Sequence, residues 1–191
     1  MATGVLVDAN VLLSRTLRDW LFLLRNETAG GMFTVSTTED ILAEALYHLR
    51  RNHPRAPGHL TSHAHDLICE QLDDRVSDYT VDDSYPGPDP NDAHVHAAAV
   101  ASGAGKLLTA DSGFTKLPED VAARLPYEVH TPDSFFTLID DSASLKVRTV
   151  TEKQLLYFLK RDGEADLPGR LKKAGCPTFA ERVRVHLQAL S

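Results

Sequence analysis

The stretch that decides the fold is Val5-Leu6-Val7-Asp8-Ala9-Asn10. Its apolar, mostly β-branched run predicts a short buried strand, and the polar residues after it mark the end of that strand. Apolar residues then recur at helical spacing over residues 11–24. The same order returns with a strand at 32–35 and a helix at 39–50. This alternation predicts an α/β fold in which helices flank a central parallel sheet.

Further elements follow along the chain. The pattern predicts strands at 79–81, 106–110 and 127–130, and helices at 60–72, 93–102, 118–125, 132–139 and 177–190. Thr149 and Glu152 have the spacing of a capping box, which predicts a new helix start there. We therefore divide the chain into a domain of residues 1–140 and a basic helical C-terminal extension of residues 141–191.

The charge is unevenly distributed along the 191 residues, whose formal net charge is −7. An acidic balance argues against a protein that holds nucleic acid mainly by bulk positive charge. Residues 141–191, however, hold 10 of the 20 Lys and Arg residues and only 6 of the 27 Asp and Glu residues. The chain is thus predicted to be an acidic body with a basic tail.

The cysteines and the N-terminus indicate a cytoplasmic protein. Cys69 and Cys176 lie far apart without a CxxC spacing, so neither a zinc site nor a disulfide framework is predicted. The first residues lack the pattern of a signal peptide, and we expect no membrane-spanning segment and no membrane partner.

Acidic residues follow two of the predicted strands, at Asp8 and Asp111. Open parallel sheets bind ligands at the carboxyl ends of their strands, so this repeated placement indicates a functional site. Taken singly, each acid also has a structural explanation. Asp92 suits the first turn of a helix, and the periodicity around Glu44 is that of a solvated helix residue. If the four carboxylates converge, their repulsion calls for a divalent cation, and an all-oxygen donor set favours Mg²⁺ or Mn²⁺ over zinc.

Four segments carry a family resemblance: residues 5–14, 36–45, 89–99 and 107–114. In this order they resemble the PIN-domain nucleases and, within these, the VapC-type toxins of bacterial type II toxin–antitoxin systems. The resemblance covers residues 4–140, and the extension follows it. It implies a PIN-like fold and makes four residues the catalytic, metal-binding acids: Asp8, Glu44, Asp92 and Asp111. Many members of this branch have Asn where Asp111 stands.

Three further residues have supporting roles by the same resemblance. Asn10 is similar to the polar residue that helps to fix the first acid, and Thr109 to the hydroxyl residue two places before the last acid. Asp89 is similar to an additional acid of this branch, although an N-cap role for it is equally open.

The resemblance implies a magnesium-dependent endoribonuclease, in which a metal-activated water attacks the RNA phosphorus and leaves a 5′-phosphate and a 3′-hydroxyl. It also implies a homodimer and a cognate antitoxin that blocks the acidic site. One alternative is a catalytically silent PIN-like module that binds RNA or protein, against which the complete set of acids argues. Another is a magnesium phosphohydrolase with an Asp nucleophile, which usually needs a second acid where Asn10 stands.

Two basic regions are candidates for contacting RNA. The first is the arginine group Arg50, Arg51 and Arg55, which five histidines accompany: His48, His53, His59, His63 and His65. It is either a phosphate-contacting surface beside Glu44 or a solvated helix end. The second is in the tail and consists of Arg170, Lys172, Lys173, Arg182 and Arg184. This tail either grips RNA, docks an antitoxin or second protomer, or forms a plain structural helix pair.

Overall fold

The computed structural model of the chain describes residues 2–82 and 84–190. The elements in chain order are β1 Thr3–Val7, α1 Ala9–Leu13, α2 Arg15–Glu27, β2 Phe33–Thr37, α3 Glu39–Asn52, α4 Gly58–Cys69, β3 Asp74–Arg75, a 3₁₀ turn Pro90–Asp92, α5 Ala93–Ala101, β4 Lys106–Leu108, α6 Ser112–Thr115, α7 Glu119–Ala122, β5 Glu128–His130, α8 Pro132–Asp162, α9 Leu167–Lys173 and α10 Pro177–Gln188. Within the described residues, no helix is long and apolar enough to span a membrane.

The strands form one parallel sheet in the order β3-β2-β1-β4-β5. β1 is the central strand, with Val5 opposite Val35 of β2 and Lys106 of β4. Val5, Leu6 and Val7 are completely buried, as their apolar run predicts. The predicted α/β fold with a central parallel sheet is thereby confirmed.

The chain divides into two compact units. The sheet unit comprises Met1–Leu13 and Gly31–His130, and the helical unit comprises Ser14–Gly30 and Thr131–Ser191. The first change of unit falls at Ser14, whose hydroxyl accepts a hydrogen bond from the Leu17 amide and caps α2. The single helix predicted over residues 11–24 is therefore wrong, since the N-cap at Ser14 separates α1 from α2.

Two predicted features are absent from the described residues. Residues 79–81 form no strand, and the edge strand β3 instead consists of two exposed, charged residues that pair with Ser36 and Thr37. The capping box predicted at Thr149 and Glu152 is also wrong. The Thr149 hydroxyl donates to the Leu145 carbonyl inside α8, as Thr does in a continuing helix.

The core of the helical unit is aromatic. Trp20 of α2 meets Phe179 of α10 edge to face at 5.1 Å, and Phe136 of α8 lies 5.3 Å from Phe179, with all three side chains buried. Helix α8 crosses residue 140 and departs from helical geometry at Ala143 (φ −149°, ψ 52°). The domain division that we placed at residue 140 stays a prediction.

Candidate active site

Asp8 lies at the carboxyl end of the central strand β1. Its backbone amide still pairs with the Leu108 carbonyl of β4 at 3.1 Å, and its side chain is buried. The carboxylate accepts hydrogen bonds from the Ala9 amide at 2.6 Å, the Asn10 amide group at 2.7 Å and the Thr109 hydroxyl at 2.6 Å. Burial raises the pKa of Asp8, the negative charge of Asp111 adds to the rise, and the three hydrogen bonds oppose it.

Asn10 and Thr109 connect the ends of β1 and β4. The Asn10 side chain donates to Asp8 and to the Thr109 hydroxyl at 3.2 Å, and its oxygen accepts from the Ala110 amide at 2.9 Å. The Thr109 oxygen also accepts from the Asp111 amide at 2.9 Å. The two residues therefore hold Asp8 and the chain leading to Asp111 in one hydrogen-bonded arrangement.

Asp111 begins helix α6 as its N-cap. One carboxylate oxygen accepts a hydrogen bond from the Gly113 amide at 2.6 Å, and the residue is exposed. The cap leaves the other carboxylate oxygen available to a ligand, because an ionised carboxylate can accept several hydrogen bonds or metal contacts.

Asp92 is another carboxylate of the candidate site with a raised pKa. It ends the 3₁₀ turn before α5, and its pKa rises from 3.8 to about 6. Burial is the largest cause, followed by the charge of Asp111, with smaller contributions from Asp89 and Asp8. A Cβ at Gly113 would lie 2.2 Å from an Asp92 carboxylate oxygen and 3.1 Å from an Asp111 one, and Thr109 bonds both the Asp8 carboxylate and the Asp111 amide. The structure therefore brings Asp8, Asp92 and Asp111 near one another at the carboxyl ends of the strands.

Asp89 caps the 3₁₀ turn. Its carboxylate accepts from the Asn91 backbone amide at 2.9 Å and from the Asn91 side chain at 2.8 Å. The charge of Asp89 also raises the pKa of Asp92. The residue thus has the geometry of the N-cap alternative and still acts electrostatically on the candidate site.

Two residues of the site were missed from the sequence. The Tyr85 hydroxyl lies 3.2 Å from an Asp92 carboxylate oxygen and 3.3 Å from the Gly113 carbonyl, and both oxygens accept from it. A Cβ at Gly113 would lie 2.2 Å from the same Asp92 oxygen, so only glycine lets the carboxylate occupy this place. The single available signal was an aromatic residue in a stretch of Asp, Ser, Pro and Gly.

Tyr85 is itself held by an aromatic cluster. Its ring lies 5.0 Å from the Phe114 ring and 5.6 Å from the ring of His96, which shares a 2.7 Å hydrogen bond with the Tyr127 hydroxyl. Burial, together with the negative charge of Asp92, raises the pKa of Tyr85, which keeps its hydroxyl protonated and able to donate. His96 is buried and faces Tyr127 rather than the carboxylates.

Glu44 contacts histidines rather than aspartates. Its carboxylate, on the exposed side of α3, lies 3.6 Å from His48 Nε2 and 3.9 Å from His94 Nε2. His94 is two residues after Asp92 and also contacts the Asn91 carbonyl at 2.7 Å. The fourth acid is thus linked to the aspartates through His94 and does not lie among them.

The basic residues predicted to contact RNA have ordinary surface positions. Arg50 donates to the Ala56 carbonyl near the end of α3, and Arg51 and Arg55 are exposed. In the helical unit, Lys172 forms a 2.6 Å ion pair with Glu181. Lys173 is exposed, and contact of any of these residues with RNA stays a prediction.

The donor set of the site fits a hard divalent cation. The charges that act most strongly on Asp8 and Asp92 belong to other aspartates, and carboxylate oxygens are the preferred ligands of Mg²⁺. Within residues 2–82 and 84–190, no group of three or more His, Cys, Asp or Glu side chains already has an arrangement that could hold a metal ion. The aspartates of the site therefore provide carboxylate oxygens of the right type, but in the described residues these are not yet arranged around one metal position.

A family model described as PIN domain matches residues 4–113. The match spans more than half of the chain and includes every acidic residue of the candidate site, as well as Tyr85 and Gly113. Searches of curated proteins and of solved structures find no match.

Proposed function

This chain belongs to the PIN-domain family, whose members are generally nucleases, and we propose that it is a magnesium-dependent endoribonuclease. The observation that carries the proposal is the meeting of Asp8, Asp92 and Asp111 at the carboxyl ends of the strands. Burial raises the pKa of Asp92 to about 6, and repulsion by the other carboxylates adds to the rise. Such a concentration of carboxylates destabilises a fold unless a cation offsets it, which favours a binding role over a structural one.

Asp8, Asp92 and Asp111 would hold Mg²⁺, or Mn²⁺ in its place, with Glu44 at the margin of the site. When bound, the cation lowers the pKa of an attacking water and offsets the charge of the phosphate. Asn10 and Thr109 fix the carboxylate of Asp8 by hydrogen bonds. Tyr85 fixes that of Asp92 in the same way.

The proposed reaction is hydrolysis of an RNA phosphodiester. The water oxygen attacks the phosphorus, the bond between phosphorus and O3′ breaks, and O3′ gains a proton. The products are a 5′-phosphate and a 3′-hydroxyl, and the ribose 2′-hydroxyl takes no part.

RNA cleavage by wild type and two matched variants tests the proposal. Asp8→Asn keeps the size of the side chain and removes its charge, whereas Asp120→Asn makes the same change at an exposed residue of α7. We expect cleavage by wild type and Asp120→Asn with Mg²⁺, no cleavage with chelator, and a loss of about a thousandfold in Asp8→Asn. Cleavage that survives chelator or Asp8→Asn, or products ending in a 2′,3′-cyclic phosphate, would overturn the mechanism.

We further propose that the nuclease is the toxin of a type II toxin–antitoxin pair and acts in the cytoplasm. The resemblance of the four sequence segments to VapC-type toxins supports this role. The same resemblance supports a homodimer and a small antitoxin protein that covers the acidic site. Expression of wild type in a bacterial host should arrest growth, while Asp8→Asn should not. Growth arrest that no small neighbouring reading frame relieves would contradict the antitoxin.

One observation favours a second candidate function. Glu44 lies against His48 and His94, not among the aspartates, which suits a catalytically silent PIN-like module that binds RNA or protein. A protein that binds RNA and cleaves none, with Mg²⁺ or Mn²⁺ present, would establish this alternative.

A further inference from the structure

A pocket in the helical unit is independent of the acidic residues. It has a cavity volume of about 40 Å³ and is lined by residues of α2, α8 and α9, among them Arg15, Gln154, Phe158, Arg161 and Arg170. A single water needs roughly 10–15 Å³ by the same measure, so the cavity has room for a phosphate-sized group, and the rest of a ligand would lie outside it.

Arg15 and Arg161 meet at a tyrosine hydroxyl beside the pocket. Arg15 Nη2 donates to the Tyr157 oxygen at 3.0 Å, and Arg161 Nη1 donates to it at 3.2 Å. Because the oxygen accepts from both arginines, the Tyr157 proton remains free to donate to an acceptor. The Tyr157 residue is 46% exposed, and the guanidinium carbon of Arg161 lies 5.2 Å from the centre of its ring. A planar partner would therefore stack on the ring from its solvent side.

Phe158 lines the pocket and contacts two of its arginines. Its ring lies 4.8 Å from the guanidinium carbon of Arg161 and 4.2 Å from that of Arg170. Contacts between guanidinium groups and an aromatic ring restrict the side chains and reduce the entropy lost when they bind a ligand.

The pocket keeps an excess of positive charge. Asp162 accepts two hydrogen bonds from Arg161, each 2.6 Å long, and one from Arg170 at 3.2 Å, while Asp19 lies 3.5 Å from Arg15. Three guanidinium groups face two carboxylates, which leaves one positive charge. A phosphodiester carries one negative charge, and the arginines retain N–H groups that these contacts do not use.

Gln154 supplies an independent indication of a ligand. Its residue is 5% exposed and lines the pocket. Nothing in the described part of the chain, residues 2–82 and 84–190, forms a hydrogen bond with its side-chain amide. The amide lies at the pocket surface, where a phosphate oxygen would replace water as the acceptor of its N–H groups.

We propose that this pocket binds the phosphate group of a nucleotide, with the base stacked on Tyr157. Arginine matches phosphate oxygens by paired N–H groups, and an exposed aromatic ring takes an unpaired base irrespective of sequence. The nucleotide is either part of a single-stranded RNA or free. The RNA source rests on the proposed function, since it would be a second contact with the nuclease substrate.

The single tryptophan of the chain, Trp20, lines the pocket and reports its occupancy by fluorescence. Wild type is titrated with AMP, a short single-stranded oligoribonucleotide and inorganic phosphate, all in chelator so that no cleavage occurs. Calorimetry confirms each affinity. The variants are Arg15→Gln and Gln154→Leu, with Arg124→Gln as the control, because Arg124 is an exposed arginine that pairs with Asp120 and does not line the pocket.

We expect Arg15→Gln and Gln154→Leu to weaken nucleotide binding about tenfold or more, and Arg124→Gln to leave it nearly unchanged. Gln154→Leu should not lower the unfolding temperature, since leucine is of similar size and no hydrogen bond within the described residues is lost, so weaker binding cannot come from misfolding. Arg15→Gln should also reduce the slope of log affinity against log salt for the oligoribonucleotide by about 0.7.

The probes separate the two sources of the nucleotide. Tighter binding of the oligoribonucleotide, with AMP as its competitor, assigns the pocket to RNA, while binding of AMP alone assigns it to a free nucleotide. No binding of either, or equal affinities in wild type, Arg15→Gln and Gln154→Leu, overturns the proposal. If wild type cleaves no RNA but Asp8→Asn still binds the nucleotide, the proposed nuclease function is refuted. The proposed nucleotide pocket is then retained.

Discussion

In the sheet unit, burial raises the pKa of Asp92 to about 6, and the negative charges of Asp111, Asp89 and Asp8 add to the rise. In the helical unit, Glu181 accepts hydrogen bonds from Lys172 and Arg184, which hold its pKa at about 2. Glu181 thus has cationic partners, whereas Asp92 has other carboxylates beside it. Carboxylates that repel one another weaken the fold that holds them, which indicates that Asp92 and its acidic neighbours serve a ligand.

Removal of a carboxylate from the helical unit should have the largest effect on stability. Asp140 accepts a 2.6 Å hydrogen bond from His186, and both side chains are buried. Asp140→Ala leaves His186 without this acceptor, so we expect the free energy of unfolding in urea to fall by about 3 kcal/mol.

The neighbouring residue provides the control for this change. Asp141 is half-exposed and contacts Arg182 at 2.9 Å, so Asp141→Ala should cost less than about 1 kcal/mol. Equal losses of unfolding free energy in Asp140→Ala and Asp141→Ala would show that the buried hydrogen bond between Asp140 and His186 does not stabilise the fold more than a surface ion pair does.

Disturbance of the acidic site should affect activity rather than folding. Gly113→Ala places a Cβ where it would lie 2.2 Å from an Asp92 oxygen, which forces that carboxylate to move. Misplacement of a catalytic group by about 1 Å can cost about a hundredfold, and we expect a loss of this size in kcat/KM for RNA. Gly58→Ala, at a position with no atom within 4 Å of the added Cβ, should keep full activity. If Gly113→Ala cleaves RNA at the wild-type rate, Asp92 takes no part in the reaction.

Sequence patterns predicted the parts of this site that follow from local structure. The apolar run of β1 predicts where that strand ends, and open parallel sheets bind ligands at the carboxyl ends of their strands. Together these predict Asp8 and Asp111 as site residues, and the structure places the two near each other. Tyr85 could not be found in this way, because it reaches Asp92 from a loop with no periodicity. Edge strand β3 was missed for a related reason, since its two charged residues pair through their backbone alone.

Neutralisation of Asp92 should stabilise the metal-free protein slightly. Since the folded-state pKa is raised from 3.8 to about 6, the folded chain holds this proton more tightly than the unfolded chain. Stability therefore falls as the pH rises from about 4 to about 6, and the loss is complete above that range. In chelator near pH 7.5, Asp92→Asn should raise the free energy of unfolding by about 1 kcal/mol after allowance for solvent screening.

The same variant should show no gain at low pH. Near pH 4, where Asp92 is mostly protonated in the folded chain, wild type and Asp92→Asn should unfold at nearly the same urea concentration. A lower stability of Asp92→Asn at both pH values would mean that the carboxylate supports the fold, as acids of the helical unit do.

Calorimetric titration with Mn²⁺ tests whether the aspartates form a cation site, and it needs neither an RNA substrate nor a partner protein. We expect wild type and Asp120→Asn to bind Mn²⁺ with the same affinity, Mg²⁺ to compete, and Asp8→Asn to bind at least about tenfold more weakly. An unchanged affinity in Asp8→Asn, or no binding by wild type at any concentration tested, would contradict the claim that these aspartates form a cation site.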